Sequence, residues 1–284
     1  MMTVRALLAI LVLGLLTRSA LSALGAGLDV SEDEHMALRW LAQVVECAFL
    51  FWMPVLVFRL RPAGLARLTG ALPGWRAFGV AALYGVVLLA FALSETAVET
   101  LAVAQFDRAF AYRFWAFPAD APPGAYDASE WIAMFLRVAV LVPIVEEFFF
   151  RGLLVPALRK ARGMHAAAIT SSCLFTLLHY PRLYLVSTLV FSLALAYLYM
   201  ASGSLPLCIA IHASFNAAVL VLENPGWHLL ARTADHIDQP GAWVPELAVF
   251  LASSVILLHA FFRYRHAIGG EPAPLLQKRS YSAR

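Results

Sequence analysis

Long apolar runs separated by short polar stretches dominate the chain as far as about residue 262. A helix that spans a membrane needs about 20 mainly apolar residues, and by that measure we predict about eight such helices. The fifth of them is short. They cover residues 5–28, 36–58, 75–98, 131–158, 164–180, 182–201, 205–222 and 243–262. This pattern predicts an all-α fold, a polytopic bundle of transmembrane helices.

Lysine and arginine occur mainly in alternate connections between the predicted helices. The connections after the second and the fourth helix are basic, whereas residues 29–35 and the long connection 95–130 are rich in acids. Positively charged loops tend to stay in the cytoplasm. The alternation therefore predicts an integral, multi-pass membrane protein with both termini cytoplasmic. The compact chain looks bacterial, so we expect it in a bacterial inner membrane.

The N-terminus has some features of a signal peptide. Arg5 precedes an apolar run, and small residues follow that run. Apolar character resumes after Arg18, however, and continues to Leu28, which is long enough to span. We favour a retained first helix, with cleavage as the alternative.

Composition supports a membrane protein and gives no indication of a nucleic-acid partner. The 284-residue chain is 62% hydrophobic and 14% charged, whereas soluble domains have about 25% charged residues. The net charge of +3 is too small to suggest nucleic acid. The expected surroundings are a lipid bilayer, and the expected partner is a protein or peptide substrate within it.

Several polar side chains interrupt the predicted membrane helices. Such residues are costly in lipid and usually face a protein interior or a wet cavity. Four of them lie near helix ends, where we expect them to reach the headgroups: Glu46, Arg137, His165 and His259. The others lie deeper and are the candidates for chemistry: Glu146, Glu147, Arg151, His179, His212 and Asn216.

The fourth predicted helix carries the densest polar group. Glu147 and Arg151 are four residues apart, so they share a helix face and can form an ion pair. Glu146 is rotated from Glu147 by about 100° and is left free to act as a general base. Pro143 removes an N–H and can bend the helix, which makes room for water. Phe148–Phe150 are expected to pack and to exclude solvent.

Two further helices bring polar residues to a similar depth. Phe175 and His179 share one helix face, and His212 and Asn216 share another. At a rise of about 1.5 Å per residue, the carboxylates and His179 lie about 20–25 Å from the cytoplasmic helix ends, and the His212 pair lies roughly 12–18 Å in. Given the uncertainty of the helix ends, this agreement predicts one shared site.

A carboxylate and an imidazole around a water molecule suit general-base hydrolysis. A second imidazole and an amide can donate hydrogen bonds to a developing oxyanion. The sequence has no HExxH and no GxSxG motif, and no pair of intramembrane aspartates. Zinc ligation by the two glutamates and two histidines is an alternative, although Arg151 beside the carboxylates argues against a dication there. A transporter or scaffold whose polar cluster binds an ion or a partner is the competing class.

Three motifs in order on successive apolar helices identify a family. EExxxR (Glu146, Glu147, Arg151), FxxxH (Phe175, His179) and HxxxN (His212, Asn216) resemble the CPBP family, the CAAX protease and bacteriocin-processing or Abi proteins. The resemblance implies a glutamic-type intramembrane endopeptidase that uses no cofactor, with zinc as the minority alternative.

Carried over to this chain, the resemblance implies a role for each motif residue. Glu146 and His179 activate the water, Glu147 and Arg151 support the site, and His212 and Asn216 form the oxyanion hole. Prenylated proteins, bacteriocin leader peptides and C-terminal anchors of surface proteins are all compatible substrates, and prenyl processing fits a bacterial chain least well.

The resemblance also suggests how the chain is divided. Residues 129–222 form the catalytic helix core. Residues 1–128 provide the N-terminal helices and a long outer loop. Residues 223–284 provide the last helix and a flexible cytoplasmic tail.

Overall fold

The computed structural model describes residues 3–28, 32–70, 72–114, 128–179, 185–222 and 239–269. These residues form helices joined by short connections, and they contain no β-strand. The predicted all-α polytopic bundle is thereby confirmed. The Pro-rich part of the connection 95–130 and the end of the predicted tail lie outside the described residues.

Five helices precede the segment that carries the two glutamates. They are α1 (Val4–Ala26), α2 (Glu32–Val57), α3 (Pro62–Thr69), α4 (Trp75–Ala104) and α5 (Arg108–Phe114). The short helices α3 and α5 lie in stretches that the apolar pattern treats as connections. Pro62 opens α3, where its missing N–H costs nothing because the first N–H groups of a helix have no intrahelical acceptor.

The next helical run is continuous from residue 128 to residue 162 but changes its hydrogen-bond pattern along its length. Its segments are α6 (Ala128–Phe135), π1 (Leu136–Leu141), α7 (Val142–Glu147), π2 (Phe148–Leu154) and α8 (Val155–Arg162). It is followed by α9 (Met164–Leu178), α10 (Leu185–Ser202), α11 (Leu205–Leu222), a short 3-10 turn (Pro240–Trp243) and α12 (Val244–Gly269).

Six of the described helices are long and apolar enough to cross a membrane, namely α1, α2, α4, α10, α11 and α12. Helix α9 is apolar but shorter, as the sequence predicts for the fifth span. The predicted fourth span corresponds to the run 128–162, which the two π-helical segments divide.

Two prolines account for the positions of the π-helical segments. The π1 segment ends two residues before Pro143, and π2 ends two residues before Pro156. A proline inside a helix lacks an N–H and clashes with the carbonyl four residues earlier. A wider π turn before each proline fits this constraint, and the last N–H of each turn donates five residues back, from Val142 to Arg137 and from Val155 to Phe150.

Helix α4 extends further than the sequence pattern predicts. It continues to Ala104 rather than ending near residue 98. Glu95, expected in an acid-rich connection, is buried within the helix and hydrogen-bonds to Glu99 and to Ser187 of α10. Partners on a neighbouring helix thus keep these acids inside the bundle.

The core of the bundle is centred on π2. All seven residues of this segment are buried, including the three phenylalanines, as their expected packing role requires. Phe148 contacts Phe51 of α2, with ring centroids 4.9 Å apart, and Phe150 contacts Phe175 of α9 at 5.1 Å.

Short turns bring α9 and α11 back along the helices before them. Gly163 alone separates α8 from α9 and has φ of 82°, a backbone conformation that glycine adopts without strain. Gly203 has φ of 61° in the turn between α10 and α11. These reversals place α9, α10 and α11 around the run 128–162, where α11 packs against π1 and α7.

Candidate active site

Glu147 lies at the centre of a buried polar network. Its side chain is completely buried, and its Oε1 accepts a hydrogen bond from Arg151 Nη1 at 3.0 Å. The same oxygen lies 2.8 Å from His212 Nδ1 on α11. Because an ionised carboxylate only accepts, the histidine donates from Nδ1. The structure therefore contains the Glu147–Arg151 contact that the sequence spacing predicts, and it brings His212 to the same oxygen.

Glu146 points to a different part of the site. Its Oε2 lies 3.8 Å from His212 Nε2, beyond hydrogen-bonding distance, and its side chain is 15% exposed. That oxygen is buried and has no hydrogen-bond partner among the described residues. Since burying an unpaired carboxylate is costly, this arrangement is unusual for a purely structural group. Glu147 Oε2 is likewise buried without a partner in the described part of the chain.

His179 lies directly after the last residue of α9, as the C-cap of that helix. Its Nδ1 is 2.8 Å from the Phe175 carbonyl, so Nδ1 is the donor and Nε2 carries the lone pair of the neutral ring. The His179 ring stacks on Phe175 with centroids 4.7 Å apart. Phe175 also faces the Arg151 guanidinium at 4.8 Å, and its ring centroid lies 6.0 Å from that of His212. Phe175 thus links His179 to the network.

Asn216 bonds to the backbone of π1. Its Nδ2 donates to the Val138 carbonyl at 2.9 Å. In π1 the N–H of Val142 donates five residues back, to Arg137. The same spacing would pair the N–H of residue 143 with the Val138 carbonyl, but Pro143 has no N–H. Asn216 supplies the missing donor from a neighbouring helix. One of its two amide hydrogens is thereby engaged.

Helix α10 contributes a residue that no motif indicates. Ser192 is buried, and both its Oγ and its carbonyl accept from Arg151 Nη2, at 2.9 and 3.1 Å. The adjacent Phe191 packs edge-on against His212 with centroids 5.1 Å apart. A lone serine in an apolar helix is a common feature of membrane proteins, so the sequence alone gives no signal for its role.

Two residues that we expected to reach the headgroups are bound to protein instead. Glu46 is buried and forms an ion pair with Arg18 of α1 at 3.1 Å, and it lies close enough to Glu146 for their charges to interact. Arg137 hydrogen-bonds to Gln43 of α2 and covers the Trp40 ring. Position near a span end was a poor guide here because α2 packs against both α1 and α7.

The other two residues of that group agree better with the expectation. His165 Nδ1 lies 3.0 Å from the Tyr197 hydroxyl in an exposed contact, and His259 is exposed. Neither belongs to the network around Glu147.

The arrangement of the described residues does not favour the zinc alternative. Among them, no group of three or more histidines, cysteines, aspartates or glutamates is arranged to hold a metal ion. Glu147 Oε1 is shared by a guanidinium and an imidazole, and the nearby Arg151 cation disfavours a dication at that oxygen. We derive no catalytic step through a metal.

Comparison with known proteins identifies the segment that holds these residues. A family model described as "Type II CAAX prenyl endopeptidase Rce1-like" matches residues 128–218 of the 284. No curated protein and no solved structure matches the chain. The matched segment contains all three motifs, and its family supports an intramembrane CAAX protease activity in general terms. Residues 128–218 thus match the model of a CAAX protease family, and they lie within an integral, multi-pass membrane protein.

Proposed function

We propose that the protein is an intramembrane endopeptidase that hydrolyses a peptide bond by a glutamate-based mechanism. The observation that carries the proposal is the contrast between the two adjacent carboxylates. Glu147 Oε1 is engaged by Arg151 and His212, whereas Glu146 Oε2 is buried without a hydrogen-bond partner among the described residues and lies 3.8 Å from His212 Nε2. An uncommitted carboxylate in a dry protein interior is suited to bind and deprotonate a water molecule.

In the proposed reaction Glu146 takes a proton from water while the resulting hydroxide attacks the scissile carbonyl carbon. His179 assists as a second proton acceptor, because its Nδ1 is bound to the Phe175 carbonyl and Nε2 retains the lone pair. When the tetrahedral intermediate collapses, the proton passes to the leaving amine and the peptide C–N bond breaks.

The developing oxyanion needs hydrogen-bond donors. His212 can supply Nε2–H when its ring carries both protons, since Nδ1 is held by Glu147. Asn216 can supply the amide hydrogen that is not bound to Val138. Arg151 holds the Glu147 carboxylate in place through their ion pair, so it acts on the reaction through Glu147 and His212.

The substrate in this proposal is a protein or peptide within or against the bilayer, and three classes fit: prenylated C-termini, leader peptides and C-terminal anchors. We expect the enzyme to act in a bacterial inner membrane with both termini in the cytoplasm. Zinc-dependent hydrolysis by the same residues is the alternative mechanism, and an ion-binding transporter or scaffold is the alternative class.

A comparison of membrane-protein termini in cells expressing wild-type protein or Glu146→Gln tests the proposal. We expect specific new N- or C-termini in wild-type cells that are absent from the variant, and their sequences name the substrate class. Glu95→Gln is the matched control, because it removes another buried intramembrane carboxylate, one bonded to Glu99 and Ser187. That control should cleave like the wild type.

Purified protein and a peptide taken from those termini then test the mechanism. Cleavage should be lost in Glu146→Gln and in His179→Ala at unchanged expression. It should persist in a zinc chelator. Cleavage that survives both substitutions would reject Glu146 and His179 as the groups that activate water, and loss in chelator would favour the zinc mechanism.

A further inference from the structure

Ser192 holds one end of the only guanidinium in the described network around Glu147. Its side chain is 1% exposed, and two of its oxygens contact the same nitrogen of Arg151: Oγ at 2.9 Å and the carbonyl at 3.1 Å. The other terminal nitrogen, Nη1, donates to Glu147 Oε1 at 3.0 Å. The guanidinium is therefore fixed at both ends, by α10 on one side and by its own helix on the other.

The contacts continue from Arg151 to the proposed reacting groups. Glu147 Oε1 also accepts from His212 Nδ1 at 2.8 Å, and His212 Nε2 lies 3.8 Å from Glu146. A displacement at Ser192 is thus passed through one guanidinium and one carboxylate to the imidazole. Phe191, next to Ser192, packs on that same imidazole at 5.1 Å.

We propose that Ser192 is a positioning residue for proteolysis: by orienting Arg151 it fixes Glu147, and through Glu147 it sets the orientation of the His212 ring. This inference rests on the proposed function. Ser192 touches none of the atoms that would react, so it acts on the alignment of donors and not on substrate binding.

The physical reason is that the hydrogen bond between Arg151 and Glu147 does not by itself fix the orientation of the guanidinium. A single bond from Nη1 to one carboxylate oxygen permits rotation about that bond, whereas a second anchor at Nη2 removes it. Phe175 covers the guanidinium face but offers no directional acceptor. Without the Ser192 hydroxyl, only the backbone carbonyl of the same residue remains on Nη2.

Ser192→Ala therefore removes one of two acceptors and leaves the charge pair in place. We expect kcat to fall about tenfold, roughly the effect of losing one hydrogen bond to a charged group. KM should stay within about twofold, because the lost contact does not bind substrate. Ser192→Thr keeps the hydroxyl and should recover most of kcat.

Ser172→Ala is the matched control. Ser172 is also fully buried in this bundle, on α9, but its Oγ has no hydrogen-bond partner among the described residues. Its loss should leave kcat unchanged. A fall in the amount of folded enzyme with unchanged kcat per folded molecule would mean that Ser192 contributes to stability alone, and would overturn the proposal.

The ring of His212 gives a readout that does not depend on cleavage. In full-length protein in detergent micelles, the nitrogen NMR signal of His212 Nδ1 should move in Ser192→Ala and stay in place in Ser172→Ala. A Ser192→Ala enzyme with wild-type kcat and an unmoved His212 signal would overturn the positioning role of Ser192 but not the proposed function. A wild-type protein that cleaves none of its candidate peptides would instead overturn the proposed function.

Discussion

Two arginine–glutamate ion pairs of nearly equal length occur in different settings within the bundle. Glu147–Arg151 joins two residues of one helix at 3.0 Å, and neither side chain is more than 1% exposed. Arg18–Glu46 joins α1 to α2 at 3.1 Å, with the arginine 42% exposed and the glutamate 8% exposed. Distance does not distinguish the two pairs, but the exposure of the arginine side chain does.

The two pairs also differ in what else they hold. Arg151 and Glu147 bond to Ser192 and His212 on two other helices, so their removal would affect three parts of the bundle. In the Arg18–Glu46 pair, by contrast, Arg18 Nη1 donates one hydrogen bond to Glu46 Oε2, which joins only α1 and α2. A charge left alone in a dry interior costs far more than one left near water. The comparison teaches that a pair's environment and its additional partners set its importance.

The largest effect should follow from removing the buried guanidinium. Arg151→Ala leaves Glu147 without its cation, and we expect a loss of about 3–5 kcal/mol in the free energy of unfolding together with loss of cleavage. Chemical denaturation in mixed micelles and a peptide-cleavage assay measure the two effects. Arg151→Lys keeps the charge but not the two-ended geometry, so it should recover only part of both. Wild-type stability in Arg151→Ala would contradict the comparison.

A smaller effect is expected at the Arg18–Glu46 pair, in which the arginine is partly exposed. Arg18→Ala should cost about 1 kcal/mol of unfolding free energy, because the arginine side chain is 42% exposed and far less enclosed by protein than Arg151. In Arg18→Ala/Glu46→Gln both charges are gone, and stability should return close to that of the wild type. The same denaturation experiment compares these variants directly with Arg151→Ala. A cost at Arg18 as large as that at Arg151 would show that burial does not separate the two pairs.

The smallest effect should come from the uncharged contact between α11 and π1. Asn216→Ala removes the donor to Val138 and should cost about 0.6 kcal/mol, the average for hydrogen bonds between membrane helices. In a Pro143→Ala background the new N–H can supply the carbonyl, so the same substitution should cost less. A double-mutant cycle of unfolding free energies measures this coupling. Equal costs in the two backgrounds would mean that Asn216 does not compensate for Pro143.

Local spacing predicted much of the site from the sequence. Residues four apart on one helix were expected to meet, and both Glu147–Arg151 and Phe175–His179 are in contact. Counting residues inward from the predicted cytoplasmic ends placed His212 near the carboxylates, and it lies 2.8 Å from Glu147. These inferences succeeded because they depend on helix geometry and on the cost of polar groups in lipid. The catalytic roles stay predictions.

Contacts between helices that are distant in sequence could not be predicted in the same way. Ser192 resembles any small polar residue in an apolar helix, and only the packing of α10 shows that it meets Arg151. Glu46 was assigned to the membrane surface because its pairing with Arg18 depends on how α1 and α2 pack. The extension of α4 was missed for a similar reason, since Glu95 finds its partner on α10.

The π-helical segment π1 affects the direction in which the side chains of the EExxxR motif face. A π turn holds one residue more than an α turn, and one extra residue rotates all that follows by about 100° around the helix axis. The direction in which Glu146 and Glu147 face relative to α6 is therefore set by a residue count in π1. Deleting one residue from π1 would leave the EExxxR sequence unchanged but would turn its side chains away from α11. The number of residues in π1, as well as their identity, therefore determines which way the site residues face.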